Sequence, residues 1–456
     1  MERANVTVVG SGYVGTVVAA SFASLGRSVI GVEVDDRKLA TLKSGRAPFY
    51  EAGLDDLLAE QLGSGRLTFT NDVRFALAGS DIVFLCVGTP GVANGRADMS
   101  AMAAAARAIG GALQRDQVLV TKSTVPIGSG NWLEHLVTEA LRERGEDRRF
   151  AVVSNPEFLR EGSAIDDFLH PERVVLGSDN AAAIDAVADL YKPILEQSFP
   201  GGDAKARPPL IRTNLVTAEA VKYAANAFLA TKVSFINEVA NICDLVGADV
   251  SQLSNAIGLD SRIGDRFLDA GAGWGGSCFG KDVDELIAEA EEHGYDPHLL
   301  KATVAVNRQQ REIIIKKLQR HLGTLRGRRI GILGLAFKPG TDDLRDAPAV
   351  DISARLLEMG AFVIAHDPVV ERVPDLPALK IAGTPYEAAD GVDAVVLLTE
   401  WPEFLAIDIQ KLVEKMRGNV FIDARNVFEA STMTAAGLVH EGIGRPAATA
   451  GMPISS

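Results

Sequence analysis

Cysteine is scarce: Cys86, Cys243 and Cys278 are the only three in 456 residues, an odd number too widely spaced for a disulfide framework or a zinc ligand set. A reducing cytoplasm is the expected compartment. The seven histidines contain no HxxxH pair; the nearest two, His293 and His298, would fall on different faces of a helix, and no metal is expected. No apolar run reaches the 18 or so residues of a membrane span. The strand-like run Val6–Val9 comes without the basic flank and small-residue cleavage site of a signal peptide. Basic residues are outnumbered, with 46 Lys and Arg against 60 Asp and Glu, a net charge of −14. That excess argues against broad binding to nucleic acid or anionic membrane, while leaving room for a local phosphate pocket.

Glycine, by contrast, is plentiful at 44 residues, and its placement is informative. Asn5 to Val9 reads as a strand, residues 10–15 as a turn, Thr16 to Leu25 as a helix and Ser28 to Val34 as a second strand, which together make a βαβ unit. The alternation continues through strands at 81–87, 117–121 and 150–154 and an Ala-rich helix at 99–113, predicting a mostly parallel sheet covered on both faces. Thr217 to Asp244 runs 28 residues without Gly or Pro and predicts one long helix, followed by helices at 282–293 and 297–322. A second sheet domain opens at Arg328, with strands at 329–333, 361–366, 394–398 and 420–423 and a helix at 348–359. The expected fold is therefore α/β: two Rossmann-like doubly wound domains, 1–212 and 326–440, joined by an all-helical region at 213–325. Residues 441–456, rich in Gly, Pro, Ala and Ser, read as a flexible tail.

Three constellations carry chemistry. In Gly10-x-Gly12-x-x-Gly15 the first glycine allows a tight turn, the second lets backbone amides approach a pyrophosphate, and the third permits close helix packing. Glu33 ends the next strand, placed to accept from a ribose 2′-OH, so NAD is favoured over NADP; Arg37 and Lys38 nearby leave NADP tolerable. The second is Gly275-Gly276-Ser277-Cys278-Phe279-Gly280-Lys281-Asp282. Here glycines strip bulk from around a thiol that Lys281 and a helix starting at Asp282 would acidify, although a lone cysteine is often only a small buried hydrophobe. The third is Lys222-x-x-x-Asn226, one turn apart on the long helix, either a cleft pair able to stabilise an oxyanion or a solvated face. Residues 121–126 and 155–162 add polar loops at strand C-terminal ends, where ligands bind in open α/β sheets.

These segments resemble the UDP-glucose/GDP-mannose dehydrogenase family, and within it the UDP-glucose 6-dehydrogenase branch, over about residues 4–430. The likeness rests on GSGYVG at 10–15, VGTP at 87–90, STVP at 123–126, NPEFLREG at 155–162, EAVKYAANAFLATKVSFINE at 219–238, GGSCFGKD at 275–282, GLAFKPGTDDLRDAP at 334–348 and DARNVF at 423–428, all in order. The resemblance implies a four-electron oxidation of a nucleotide sugar's C6 alcohol to a carboxylate by two NAD. UDP-glucose is the expected substrate, with dTDP-glucose, GDP-mannose or an N-acetylhexosamine nucleotide as alternatives. It implies Cys278 as the nucleophile that forms a thiohemiacetal and then a thioester, and Lys222 and Asn226 as the groups bracketing the reacting oxygen. Asp282 and Thr124 would hold a water or relay a proton, and Glu157 would assist hydrolysis; whether Lys222 or Asp282 is the first base stays open.

For NAD the same resemblance marks Gly10, Gly12, Tyr13, Val14, Gly15, Glu33, Val34, Lys38, Gly88, Thr89, Thr124, Glu161, Lys281 and Arg345. For the sugar nucleotide it marks Phe158, Leu159, Arg160, Lys222, Asn226, Phe267, Leu268, Gly271, Gly275, Phe337, Lys338 and Arg425. Arg262 is expected to reach the neighbouring active site of a homodimer. Two positions depart from the family pattern: Gly280 replaces a proline that many relatives carry, which loosens the start of the helix after Cys278, and Asp269 adds a negative charge beside the nucleotide loop.

Overall fold

A computed structural model describes residues 5–92, 95–445 and 447. The chain forms two compact units, the first ending at Ala225 and the second starting at Asn226. The first is built on eight strands: β1 Val6–Val9, β2 Val29–Val32, β3 Leu67–Thr70, β4 Ile82–Leu85, β5 Gln117–Thr121, β6 Phe150–Ser154, β7 Val174–Gly177 and β8 Leu210–Thr213. They lie in the order β3-β2-β1-β4-β5-β6-β7-β8. The first six are parallel; β7 meets β6 antiparallel through a single pair, Ser154 with Gly177. Strands such as VTVV and IVFL are buried at every position, as a sheet covered on both faces requires. The order reverses at β1 and β4, so the crevice at their C-terminal ends is where such a sheet binds ligands.

The second unit carries β9 Arg329–Leu333, β10 Phe362–His366, β11 Lys380–Ile381, β12 Ala394–Leu397, β13 Val420–Asp423 and β14 Val439–Gly442. All are parallel, in the order β11-β10-β9-β12-β13-β14. Ile236, Ala240 and Cys243 from the long helix share one core with this sheet. Helices Phe279–Glu292 and His298–Leu322 complete the unit. Among the described residues no helix is long and apolar enough to cross a membrane.

Most element boundaries fall within two residues of expectation, and three differences have physical causes. The helix after the glycine turn starts at Tyr13 rather than Thr16, because Gly12 is its N-cap and Thr16 N donates to Gly12 O at 2.9 Å. The helix after the cysteine starts at Phe279 rather than Asp282, with Cys278 as its N-cap. Asp282 N donates to Cys278 O at 2.9 Å, so Gly280 sits in a closed first turn and does not loosen it.

The third correction concerns the tail. Glu441 belongs to β14 and is 1% exposed, bonded to Lys317 Nζ at 2.9 Å, Arg320 Nη1 at 2.6 Å and His321 Nε2 at 2.5 Å. Lys317, fully buried, also holds Asp244 at 2.7 Å. Burial raises the Glu441 carboxyl, but the surrounding cations, Lys317 foremost, bring it below its ordinary value. The loose tail expected from 441 therefore does not begin there. Residues 446 and 448–456 lie outside the described residues.

Candidate active site

In the first unit, the turn after β1 shows why glycine is needed. Gly10 has φ +93°, and a Cβ on it would lie 2.8 Å from Val87 N; a Cβ on Gly15 would lie 1.8 Å from Gly10 O. A Cβ on Gly12, by contrast, would meet nothing within 4 Å, which leaves its backbone open to approach. No side chain caps the helix Tyr13–Ser24, so its first amides are available to an anion. Glu33 is buried at the end of β2 and accepts from Asp35 N at 2.9 Å, while Val34 beside it is exposed. Lys38 lies in the first turn of the next helix, which Asp35 caps. This turn, uncapped helix and acid fit a dinucleotide.

The loops after β4 and β5 are tied together. Thr89 Oγ1 donates to Thr124 O at 2.6 Å, and Ser123 Oγ donates to Val87 O at 2.7 Å. Thr124, Glu219 and Lys222 line a cavity of about 10 Å³, room for one water. Lys222 Nζ sits 2.8 Å from Glu157 Oε1, with both side chains 6% exposed. Burial pushes the Glu157 carboxyl up, but the charge and hydrogen bond of Lys222 more than reverse this and hold it below the usual range. Glu157 also accepts from Leu159 N at 2.7 Å. Phe158 packs under the Arg173 guanidinium, 3.8 Å from the ring centre. Arg160 is committed to Asp167 by a forked pair whose shortest contact is 2.5 Å, and Glu161 is half-buried.

In the second unit Cys278 is half-buried at the head of the helix Phe279–Glu292, its Sγ 3.5 Å from Ser277 Oγ. The other two thiols are buried, and burial pushes Cys86 up to about 12. Asp282, one turn on and 1% exposed, accepts from Asn226 Nδ2 and Lys281 Nζ, each at 2.6 Å. Lys222 and Asn226, neighbours on one helix, thus each hold a different carboxylate.

The glycines before the cysteine make close contacts. A Cβ on Gly275 would lie 2.3 Å from Asp346 O, and one on Gly276, at φ +86°, would lie 2.8 Å from the Phe337 ring. Phe337 is set by a rigid turn after β9, in which Asp367 accepts from Leu335 N and Ala336 N at 2.8 and 3.1 Å. Lys338 Nζ lies 5.6 Å from the Phe337 ring centre. Arg425 donates to Leu398 O at 2.8 Å and Phe337 O at 3.2 Å, and a Cβ on Gly271 would lie 2.8 Å from Ala424 O. Phe267 takes φ +65° and Leu268 is buried. Gly271, Phe337 and Arg425 thus meet in one loop system, with Gly276 against the Phe337 ring. Arg345 is held by Asp343 at 2.7 Å and Arg262 by Asp260 at 2.6 Å, both largely exposed. Among the described residues no group of three or more His, Cys, Asp or Glu could hold a metal.

Sequence reasoning missed three residues. Glu51 is buried and accepts from Tyr13 Oη at 2.5 Å, Gly162 N at 2.6 Å and Ala164 N at 2.8 Å, joining the glycine turn to the end of the 155–162 loop. Glu219 accepts from Gly128 N at 2.6 Å and Gly130 N at 2.8 Å, and burial carries its carboxyl up to about 7 against those bonds. Lys122 is buried at the end of β5. Glu219 opens the 219–238 segment and Lys122 lies in the 121–126 loop, but neither stretch singles these residues out, and Glu51 belongs to none.

A dinucleotide turn at the carboxyl ends of a parallel sheet, beside a polar loop system, defines an NAD-dependent oxidoreductase. The chain belongs to the UDP-glucose/GDP-mannose dehydrogenase family: the family's NAD binding domain matches residues 4–195, its central domain 216–309 and its UDP binding domain 331–430. It is 44% identical to UDP-glucose 6-dehydrogenase TuaD of Bacillus subtilis over 97% of this chain and 93% of the relative. With UDP-glucose 6-dehydrogenase AglM of Haloferax volcanii it shares 41% identity over 92% and 96%. Among solved structures, a UDP-glucose dehydrogenase from Pyrobaculum islandicum superposes with TM-score 0.87 at 38% identity, covering 97% of this chain and 98% of that one. A UDP-D-ManNAc dehydrogenase from Pyrococcus horikoshii does so with 0.83 at 26% identity, covering 97% and 99%.

Proposed function

We propose that this enzyme oxidises the C6 alcohol of UDP-glucose to the carboxylate of UDP-glucuronate. The observation that carries the reading is the contrast among thiols: Cys278 alone is accessible, at a helix head behind two glycines, whereas Cys86 and Cys243 are buried. Hydride removal from an alcohol has no use for a thiol, whereas a thiol that adds to the aldehyde gives a thiohemiacetal from which a second hydride can leave. The 44% identity to a UDP-glucose 6-dehydrogenase supports the choice of sugar nucleotide.

Bound NAD supplies the hydride acceptor for both oxidations, held by the 10–15 turn, Glu33 and the 88–89 and 124 loops. The remaining chemistry belongs to the chain. Lys222 and Asn226 stabilise negative charge on the C6 oxygen, and Asp282 or Lys222 takes the alcohol proton. Cys278 Sγ adds to the aldehyde carbon; after the second hydride leaves, the acyl group remains on sulfur as a thioester. Glu157 and Thr124 direct a water to it, which releases the acid and restores the thiol. The 267–275 loop, Phe337, Lys338 and Arg425 hold the nucleotide and sugar, with Phe158 to Arg160 as a lip. Arg160 would first have to leave Asp167. Lys281 and Arg345 complete the cofactor contacts.

The functional division is 1–212 for NAD, 213–325 for dimerisation and, with β14 included, 326–442 for the sugar nucleotide. A homodimer is supported by exposed apolar residues seven apart on the long helix: Phe228 at 67%, Phe235 at 51% and Ile242 at 52%, followed by Leu245 at 86%. Arg262, 86% exposed, would exchange Asp260 for the neighbour's phosphates. Light scattering on the purified protein is expected to give the mass of two chains; the mass of one would remove the dimer. The reducing cytoplasm fits three free thiols.

The test is NADH released per limiting sugar nucleotide with excess NAD, run on UDP-glucose, dTDP-glucose and GDP-mannose. Two NADH per UDP-glucose is the expected result. One would remove the role of Cys278, and two from another nucleotide would replace the substrate.

A further inference from the structure

Lys122 is 4% exposed and lies at the end of β5, directly before the loop that carries Thr124. Its Nζ donates to Asn155 Oδ1 at 3.1 Å and to Tyr191 Oη at 3.2 Å, while Tyr191 Oη donates to Asn155 Oδ1 at 2.7 Å. The three groups close a hydrogen-bonded ring. Asn155 is pinned on its other side as well, its Nδ2 on Val175 O at 2.9 Å and its backbone N on Thr121 O at 2.8 Å. Two residues further on stands Glu157, paired with Lys222.

We propose that Lys122 is a positioning residue for the oxidation: its ammonium anchors the turn that carries Glu157 and supplies the second positive charge acting on that carboxylate. The inference rests on the role given to Glu157 above. A buried lysine is expensive, and burial brings Lys122 down to about 8, so an apolar residue would hold the fold with less strain on solvation. The titratable groups acting at this place are Glu157, Lys222 and the Cys86 thiol, with Tyr191 Oη in direct contact. Only Glu157 among them bears a negative charge at neutral pH, because burial pushes both Cys86 and Tyr191 upward. Lys222 and Lys122 both favour its ionised form against burial. Taking Lys122 away leaves burial less opposed, and the Glu157 carboxyl rises.

The experiment compares Lys122→Gln, which keeps a donor for Asn155 without the charge, with Lys122→Arg, which keeps the charge. The first readout needs no substrate: infrared titration of the protonated carboxyl band, assigned to Glu157 by its loss in Glu157→Gln. In Lys122→Gln the band appears about one pH unit higher than in the wild type, and in Lys122→Arg it returns toward the wild-type position. The second readout is kinetic, with the acidic limb of kcat moving the same way while both KM values stay put. A band and limb that do not move in Lys122→Gln overturn the proposal, even where activity falls. If Lys122→Gln does not fold, Tyr191→Phe removes one acceptor of the ammonium and shifts the band in the same direction by less; no shift there overturns it equally. Absence of double oxidation by the wild type would strike the functional reading alone, since the band is read without turnover.

Discussion

Replacing Cys278 by serine abolishes formation of the acid: production falls about a thousand-fold or more while the protein stays folded and binds NAD. The site explains both halves of this result. The side chain is only half-buried at a helix N-cap, with Ser277 Oγ 3.5 Å from its sulfur, so exchanging sulfur for oxygen disturbs no core. What is lost is a nucleophile that adds to an aldehyde at neutral pH and leaves readily from the acyl intermediate. A serine hydroxyl is mostly protonated at neutral pH, and an alkoxide leaves an acyl intermediate far less readily than a thiolate. Product analysis by anion-exchange chromatography, alongside a fluorescence titration with NAD, checks the outcome. Full production of the acid by the serine variant would remove the covalent mechanism.

Lys222→Met has the second largest effect, and it acts on rate and stability together. Loss of the cation at the reacting oxygen lowers kcat about a hundred- to a thousand-fold. It also strands Glu157, whose partner at 2.8 Å is gone while its side chain stays 6% exposed; breaking such a buried pair destabilises by about 3–5 kcal/mol. The pH dependence follows in sign. In the wild type the Glu157 carboxyl is held below its ordinary value, so its contribution is present above the unfolded value and lost only as pH falls through the folded one. In the variant burial governs, the carboxyl rises, and folding takes up a proton. The stability deficit is therefore larger at pH 8 than at pH 5, as urea midpoints at the two pH values will report. Adding Glu157→Gln to Lys222→Met recovers stability but not turnover, which separates the two roles.

The glycine turn, the parallel strands and the GGSC segment were legible because each is specified locally: a positive φ, an all-apolar run, a side chain that would collide with a carbonyl. The cofactor turn could be read almost residue by residue, down to Gly15 against Gly10 O. Glu51 and Lys122 could not. Their partners lie more than 30 positions away, Gly162 for one and Asn155 for the other; the 121–126 loop is marked, but nothing in it singles out Lys122. The sequence places the start of the helix Phe279–Glu292 three residues late, at Asp282, whose carboxylate turns inward to Asn226 while the thiol residue stands at the cap. Composition misled at the C-terminal end, where Gly, Pro and Ala after 441 obscured the four-residue strand Val439–Gly442.

That last strand sets where the chain can be cut. Glu441 bonds to Lys317, Arg320 and His321 of one helix, and Lys317 among them has no exposure to water. A truncation that stops at His440 would leave Lys317 with Asp244 alone and remove the outer half of an edge strand, a loss of the size that follows when a buried ion pair is broken. Fusions, tags and linkers therefore belong beyond Arg445, whose guanidinium still donates to Phe428 O at 3.1 Å. In this protein the usable end of the polypeptide is decided by buried charge rather than by where helices and strands appear to stop.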